Sequence, residues 1–488
     1  MAYVLGIDQG TTLTTAVVLD EDGTLAASRS VQVPASYPQP GRVEQDPWRI
    51  LDSVRQVAGP LAQKYPLAAV GFDNQGETFL IWERGSGRPL TPAIGWQDKR
   101  GLSVCQQAAE SVDPEWLRRK TGLLLDTYFS GPKLAYILDA NPDLAAAARR
   151  GQALFGTIDS WVLWQLSGGR LHITDPSTAS RTLLFDINRL SWDDDLLSLF
   201  GIPAAMLPEV RPSAGYIAAL DLGAGPLAPL HALLVDQQAA LFGQACFASG
   251  QMKCTFGTGA FLLMNTGQQP RLSQHRLLTT IAWQMAGETT YALDGGIFVA
   301  GAVLQWLAEG LRLLPDAAAS SQAASESAPT GVVFVPALAG LGAPHWLPEA
   351  RGAIFGLSQA TTPADLARAA LEGIACRVYE VVQAMANDAG QAPVALKVDG
   401  GPSANTFLMQ SLADILGIDV QVAAIREATA VGIANLAAHS ALGVGLADLA
   451  RRWRPEQVFL PAISVDERLS RLAAWQRGLD AVRRFHEV

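Results

Sequence analysis

One pattern constrains this chain more than any other, because it occurs twice: an apolar run, a polar turn rich in glycine and threonine, and a second apolar run. The first copy is Tyr3-Val4-Leu5-Gly6-Ile7, then Asp8-Gln9-Gly10-Thr11-Thr12, then Ala16-Val17-Val18-Leu19 before the reversal at Glu21-Asp22-Gly23. The second is Lys253-Cys254-Thr255-Phe256, then Gly257-Thr258-Gly259, then Ala260 through Met264. Apolar runs this short, bounded by turn residues, read as buried strands. Two halves that open alike read as an internal duplication of one α/β unit. The boundary falls near residue 247, giving an N-terminal half over 1–247 and a C-terminal half over 248–488. Either half is long enough to bury its own core.

Two further tips share the design. Asp73-Asn74-Gln75-Gly76-Glu77 separates the apolar runs 67–72 and 78–82, and Leu396-Lys397-Val398-Asp399 runs into Gly400-Gly401. Apolar spacing predicts helices over 113–123, 142–150, 158–166 and 239–246. The tract 316–330, built of Ala, Ser, Gln and Glu, reads as a solvated loop or a frayed helix end.

Composition excludes several functions. With 36 Lys+Arg against 46 Asp+Glu and a formal charge of -10, the surface repels polyanions, so nucleic acid is not expected as a partner. Hydrophobic residues make up 49% and charged ones 17%, which is too apolar for a disordered chain. No apolar run reaches the roughly 18 residues of a membrane span. Cys105, Cys246, Cys254 and Cys376 are scattered without a CxxC pair and read as reduced, buried thiols. The N-terminus lacks a basic region and meets Asp8 early, so a cytoplasmic location is expected.

Backbone recognition of phosphate needs glycines, which let amides approach closely, and hydroxyls as directional donors. Gly10-Thr11-Thr12, Gly257-Thr258-Gly259 and Gly400-Gly401 meet that need. Singly, each is more often a plain hairpin turn. Together, with Asp8 before the first, they point to a nucleotide held between two domains. There is no GxxxxGK[ST] loop, no GxGxxG fingerprint and no HRD/DFG set, so the common nucleotide-binding folds are disfavoured.

Several motifs in order then resemble one family. They are Asp8-Gln9-Gly10-Thr11-Thr12, Asn74-Gln75 with Glu77, Tyr128-Phe129-Ser130-Gly131 with Lys133, Asp236-Gln237-Gln238-Ala239-Ala240-Leu241-Phe242-Gly243, Gly257-Thr258-Gly259, and Gly352-Ala353-Ile354-Phe355-Gly356-Leu357. The chain resembles the FGGY carbohydrate kinases over nearly its whole length, and most of all those members that act on glycerol. The resemblance implies an α/β fold of two actin-like (RNase H-like) ATPase domains with a central cleft. It implies a kinase that uses ATP and Mg²⁺ to phosphorylate a small polyol or sugar, assembled as a homodimer or homotetramer.

By that resemblance Asp236 is the catalytic base and Asp8 the carboxylate that holds Mg²⁺. Gln75, Glu77, Trp96, Tyr128, Asp236, Gln237 and Phe261 are implied at the acceptor. Thr11, Thr12, Thr258 and Gly259 are implied at the phosphates, and Gly301, Gln305, Gly401 and Asn405 at the rest of the nucleotide. From the residues alone, Asp236 would pass for a helix N-cap, and Trp96 and Phe261 for core aromatics. A polyol needs groups that fix hydroxyls and rings that cover C–H faces, and this set contains both.

Two positions depart from the family. Gly76 stands where an acceptor-site arginine is expected, and Thr15 where a phosphate-side arginine is expected. Glycine at 76 leaves room either for a longer acceptor or for a neighbour such as Gln284 or Trp283 to fill. The expected reaction is γ-phosphoryl transfer to a primary hydroxyl, with glycerol first. The alternatives are a longer polyol or ketose (erythritol, xylitol or xylulose) and a non-catalytic sugar-sensing relative.

Overall fold

The structure, a computed structural model, describes residues 2–486. Two large sheets share the order of a five-strand core. The first runs Leu25–Gln32, Leu13–Leu19, Tyr3–Gln9, Leu67–Asn74, Ala228–Val235, closed by Ala214–Leu220. The second runs Leu278–Met285, Glu288–Ile297, Ala260–Gly267, Met252–Phe256, Ala395–Asp399, Asp419–Ala423, Pro455–Phe459. In the first, three antiparallel strands joined by tight turns are followed by two parallel strands, which need crossover connections; in the second, the inserted strand Leu278–Met285 adds a fourth antiparallel strand at the edge, next to Glu288–Ile297, and two parallel strands again follow. This repeated order is the duplicated, actin-like α/β architecture that the sequence led us to expect.

The two sheets are stacked with helices between and outside them. Along Tyr3–Gln9, Leu5 and Ile7 join one core beneath helix Pro47–Lys64, while Val4 joins another on the opposite face. That opposite face carries helices Asp236–Gly243 and Ala428–Leu442, which also touch Leu263, Trp283 and Ala292 of the second sheet. These two helices form a middle layer common to both halves. Glycine makes the layer possible: a Cβ on Gly6 would overlap the carbonyl of Ala430, and one on Gly432 the carbonyl of Ala239. Only a residue without a side chain allows backbone to approach this closely. Beyond the second sheet, helix Pro363–Ala389 starts in a capping box of Thr362 and Asp365 and covers the largest core.

The structure departs from the sequence reading in two places. Phe79–Glu83 does not return to the sheet it leaves at Asn74. It enters a separate four-stranded sheet with Glu44–Gln45, Ala93–Ile94 and Ala153–Thr157. Glu77, at φ 58, turns the chain out of plane, a conformation that a carboxylate side chain does not advertise. The tract 316–330 also holds an ordered helix, Ser320–Glu326, with Ser320 and Ala324 buried. Its small side chains let it lie close against its neighbours, so tertiary packing overrides composition. Among the described residues, no helix is long and apolar enough to cross a membrane, and all four cysteines are buried and unpaired.

Candidate active site

The first parallel pair of strands sets the charge of the cleft. In their register Asp8 lies beside Asp73, on the same face as Gly6 and Gly71. That face meets the start of helix Asp236–Gly243. Its N-cap is Val235, so Asp236 is the first helical residue rather than the cap. Three carboxylates therefore converge. Burial, and then the charge of Asp8, push the Asp236 carboxyl up to about 7. Burial pushes Asp8 up to about 6, and Asp73, enclosed and beside both, is held well above the carboxylate range. Oδ1 of Asp8 and both carboxylate oxygens of Asp73 are buried without a hydrogen-bond partner.

Beside this cluster lies a cavity of about 120 Å³, lined by Thr11, Gly76, Glu77, Trp96, Tyr128, Arg181, Val235, Asp236, Gln237, Gln238, Phe261 and Asp294. It is large enough for a few waters or one short polyol. Trp96 meets Tyr128 and Phe261 edge-on, with ring centroids 5.6 and 6.1 Å apart, and the three rings form an apolar wall. Glu77 is pushed up to about 7 by burial, although Arg181 Nε donates to its Oε1 at 2.7 Å and opposes the rise. Lys253 Nζ donates to Gln237 Oε1, which leaves that amide's N–H groups for a ligand.

Adjoining it, a larger cavity of about 590 Å³ is lined by Thr11, Thr12, Thr258 and Gly259 together with Trp96, Lys99, Tyr128 and Phe261. The two glycine–threonine turns, one from each half, thus face the same space. Trp96 Nε1 donates to Thr11 Oγ1 at 3.1 Å and joins the two cavities. Behind the second turn, a Cβ on Gly301 would lie 2.5 Å from the Gly257 carbonyl and 3.2 Å from Pro402 Cγ, so the Gly301 and Gly401 segments abut it. Gln305 is exposed one turn further on, its amide donating to Glu309. Asn405 caps helix Thr406–Leu416, accepting from Leu408 N and donating to Ser320 Oγ.

Gln75 stands one layer behind the cavity. Its amide donates to Gln9 and Gln45 and accepts from Thr78, so it braces the tip. Thr15 lies opposite Asp8 across the strand pair and bonds Ser30. Neither candidate filler of the space at Gly76 reaches it: Trp283 packs on Phe242 at 5.2 Å, and Gln284 bonds Thr289.

Sequence reasoning did not anticipate Arg181, Val235 or Asp294 in the smaller cavity, nor the buried lysine behind it. Lys133 Nζ donates to the carbonyls of Gly95, Trp96 and Tyr128 at 3.0, 3.3 and 3.2 Å, tying two cavity residues to one buried amine, whose pKa burial lowers to about 7. Its place in the Tyr128–Lys133 motif was the only available signal.

The family models for the FGGY family of carbohydrate kinases match the chain in both parts: the N-terminal domain over residues 3–243 and the C-terminal domain over 252–441. Curated relatives include a glycerol kinase of Aromatoleum aromaticum, 49% identical with 99% of each chain covered. Another is a glycerol kinase of Thermus brockianus, 46% identical with 98% of each covered. Among solved structures, Plasmodium falciparum glycerol kinase with ADP superimposes with a TM-score of 0.92 at 32% identity, covering 99% of this chain and 98% of that one. A xylulose kinase of Rhodospirillum rubrum, at 23% identity and a TM-score of 0.87 with both chains fully covered, shares the fold.

Proposed function

This chain belongs to the FGGY family of carbohydrate kinases, and we propose that it transfers the γ-phosphoryl group of ATP to a primary hydroxyl of glycerol, giving glycerol 3-phosphate. The observation that carries this reading is the small cavity itself. It places a carboxylate with a pKa near neutrality, a donor amide and an aromatic wall next to two glycine–threonine turns. Phosphoryl transfer passes through a loose transition state, so most of the catalysis is positioning and neutralisation of charge. Asp236 accepts the hydroxyl proton, and a base that titrates near 7 is well matched to that task. Glu77 and Gln237 hold the remaining hydroxyls, while Trp96, Tyr128 and Phe261 cover the carbon chain and exclude water.

In this reading the amides and hydroxyls of Thr11, Thr12, Thr258 and Gly259 bind the phosphates. Gly301, Gln305 and Gly401 border the rest of the nucleotide, and Asn405 holds that border in place by capping its helix. The unpartnered, buried Oδ1 of Asp8 is the kind of hard oxygen donor that fits Mg²⁺. Mg²⁺ takes few protein carboxylates and completes its shell from phosphate and water. When bound, Mg²⁺ supplies charge neutralisation at the phosphates. We further propose a division between the halves at residue 247, a cytoplasmic location and a homodimeric or homotetrameric assembly.

The longer acceptors are disfavoured because position 76 is not open: a Cβ there would lie 2.9 Å from Val235 Cγ2. A non-catalytic sensor is disfavoured because Asp236, Glu77 and Gln237 all line the one cavity. The test is acceptor-dependent ADP release from ATP with glycerol, erythritol, xylitol and xylulose. Glycerol should have the highest kcat/KM. ADP release that no polyol stimulates would remove the proposal.

A further inference from the structure

Given that reading, one question about the acceptor is open: which group supplies a charged donor to its hydroxyls when position 76 is glycine. The cavity is lined by a single guanidinium, that of Arg181. Arg181 is 4% exposed and held over the rings of Tyr128 and Phe129, at 5.7 and 5.5 Å from their centroids. Its Nε donates to Glu77 Oε1, and Nη1 lies 2.9 Å from Asp294 Oδ2. Yet Nη1 makes no well-formed hydrogen bond, although it is fully buried. A guanidinium carries five N–H donors in one plane, and the two carboxylates do not use them all. Meanwhile the space that a side chain at 76 would take is occupied by a methyl of Val235.

We propose that Arg181 is the specificity-determining cation of the acceptor cavity, donating directly to an acceptor hydroxyl, and that Val235 closes the space at Gly76 so that only a short polyol fits. With no cation at position 76, Arg181 supplies one beside the same tip, bonded to Glu77. There it draws its orientation from Glu77 in the N-terminal half and Asp294 in the C-terminal half.

The experiment is a cycle between enzyme and substrate. First, wild-type ADP release with glycerol establishes the kinase reading; without it, that reading fails before any variant is compared. Next, kcat/KM is measured for glycerol and for its deoxy analogues, 1,2-propanediol and 1,3-propanediol, on the wild type and on Arg181→Lys. The variant keeps the charge but not the fork, so the penalty for deleting one of the two hydroxyls should shrink at least tenfold, while KM for ATP stays within about twofold. Equal penalties in both enzymes would overturn the proposal, since a merely structural role lowers all three acceptors alike.

If Arg181→Lys fails to fold, Gly76→Arg with Val235→Gly decides the matter with Arg181 intact. A site that already has its cation should gain no more than about threefold in kcat/KM for glycerol from a second one. A gain of tenfold or more would show that the native cavity lacks a cationic donor. Gly76→Arg alone should be harmed, because its side chain meets Val235, and a neutral result would overturn the part assigned to Val235.

Discussion

Replacing Asp236 by Asn should produce an enzyme that is both inactive and more stable, and the two effects have one cause. The amide keeps the shape of the carboxylate, and its Oδ1 can still accept from Gln237 N, which lies 2.7 Å from the native oxygen. It has no basic oxygen, so kcat should fall by the roughly 10²–10⁴-fold typical of a lost general base, or ~3–5 kcal/mol of barrier. Stability should move the other way. Burial and Asp8 raise the Asp236 pKa from 3.8 to about 7 in the folded protein. Between those values the folded state holds a proton that the unfolded chain releases, so stability falls as pH rises through the window and is flat above it.

The full rise corresponds to at most ~4 kcal/mol. Because the carboxylate is partly open to the cavity, screening by water brings the expected gain on substitution nearer to ~2 kcal/mol. Thermal unfolding midpoints at pH 8 and pH 4, with kcat measured on the same preparations, make the assay. Asp236→Asn should melt higher than the wild type at pH 8 and at the same temperature at pH 4. A variant that melts lower at pH 8, or that keeps more than about a tenth of kcat, would refute the reasoning.

Other outcomes follow from the same geometry. Because Asp236 and Glu77 both titrate near 7 and both act ionised, kcat/KM for glycerol should decline below about pH 7 with a slope between one and two; a profile flat down to pH 5.5 would contradict this. Lys133→Met removes the buried amine that ties the carbonyls of Gly95, Trp96 and Tyr128 and whose pKa burial lowers to about 7; it should raise the acceptor KM about tenfold, with kcat less affected, as expected when buried acceptors lose their donor, and should shift the tryptophan emission. Gly6→Ala drives a methyl into the Ala430 carbonyl; it should destabilise the protein by about 3 kcal/mol, read as a drop in the thermal midpoint, whereas Gly85→Ala, where nothing lies within 4 Å, should not.

What could be read from the sequence was whatever depends on neighbours along the chain. Buried strands flanking a glycine–threonine turn announce themselves locally, which is why Asp8, Thr11, Thr258 and Gly259 could be named at once and the duplication seen. Asp236 needed more, since a carboxylate opening a helix has an ordinary explanation, and only its motif raised it above that. Arg181 lay outside this reach. It sits in the bland run Ser177-Thr178-Ala179-Ser180-Arg181-Thr182, and its partner Glu77 is 104 residues away. The part played by Val235 is likewise invisible until the strand ending there is set beside the strand ending at Asn74. Gly76, taken alone, read as space; its spatial neighbour shows the space to be filled.

The middle layer explains why a site built from distant segments can hold one geometry. Asp236 begins a helix pinned on one side by Ala428–Leu442, with Gly432 against Ala239, and continuous on the other with the strand that ends at Val235. Asp236, the proposed base, is therefore fixed to the layer that both halves share. Glu77, Trp96, Tyr128 and Arg181 come from the N-terminal half, and Phe261 and Asp294 from the C-terminal half. Their contacts across the cleft, Trp96 with Phe261 and Arg181 with Asp294, lie directly around the smaller cavity, the proposed acceptor site. Moving one half against the other would open the aromatic wall and loosen the guanidinium while leaving the base in place. In the proposed mechanism, approach of the halves would do two things at once: it would shut out the water that otherwise competes as acceptor, and it would align the hydroxyl with Asp236, which the shared layer already holds.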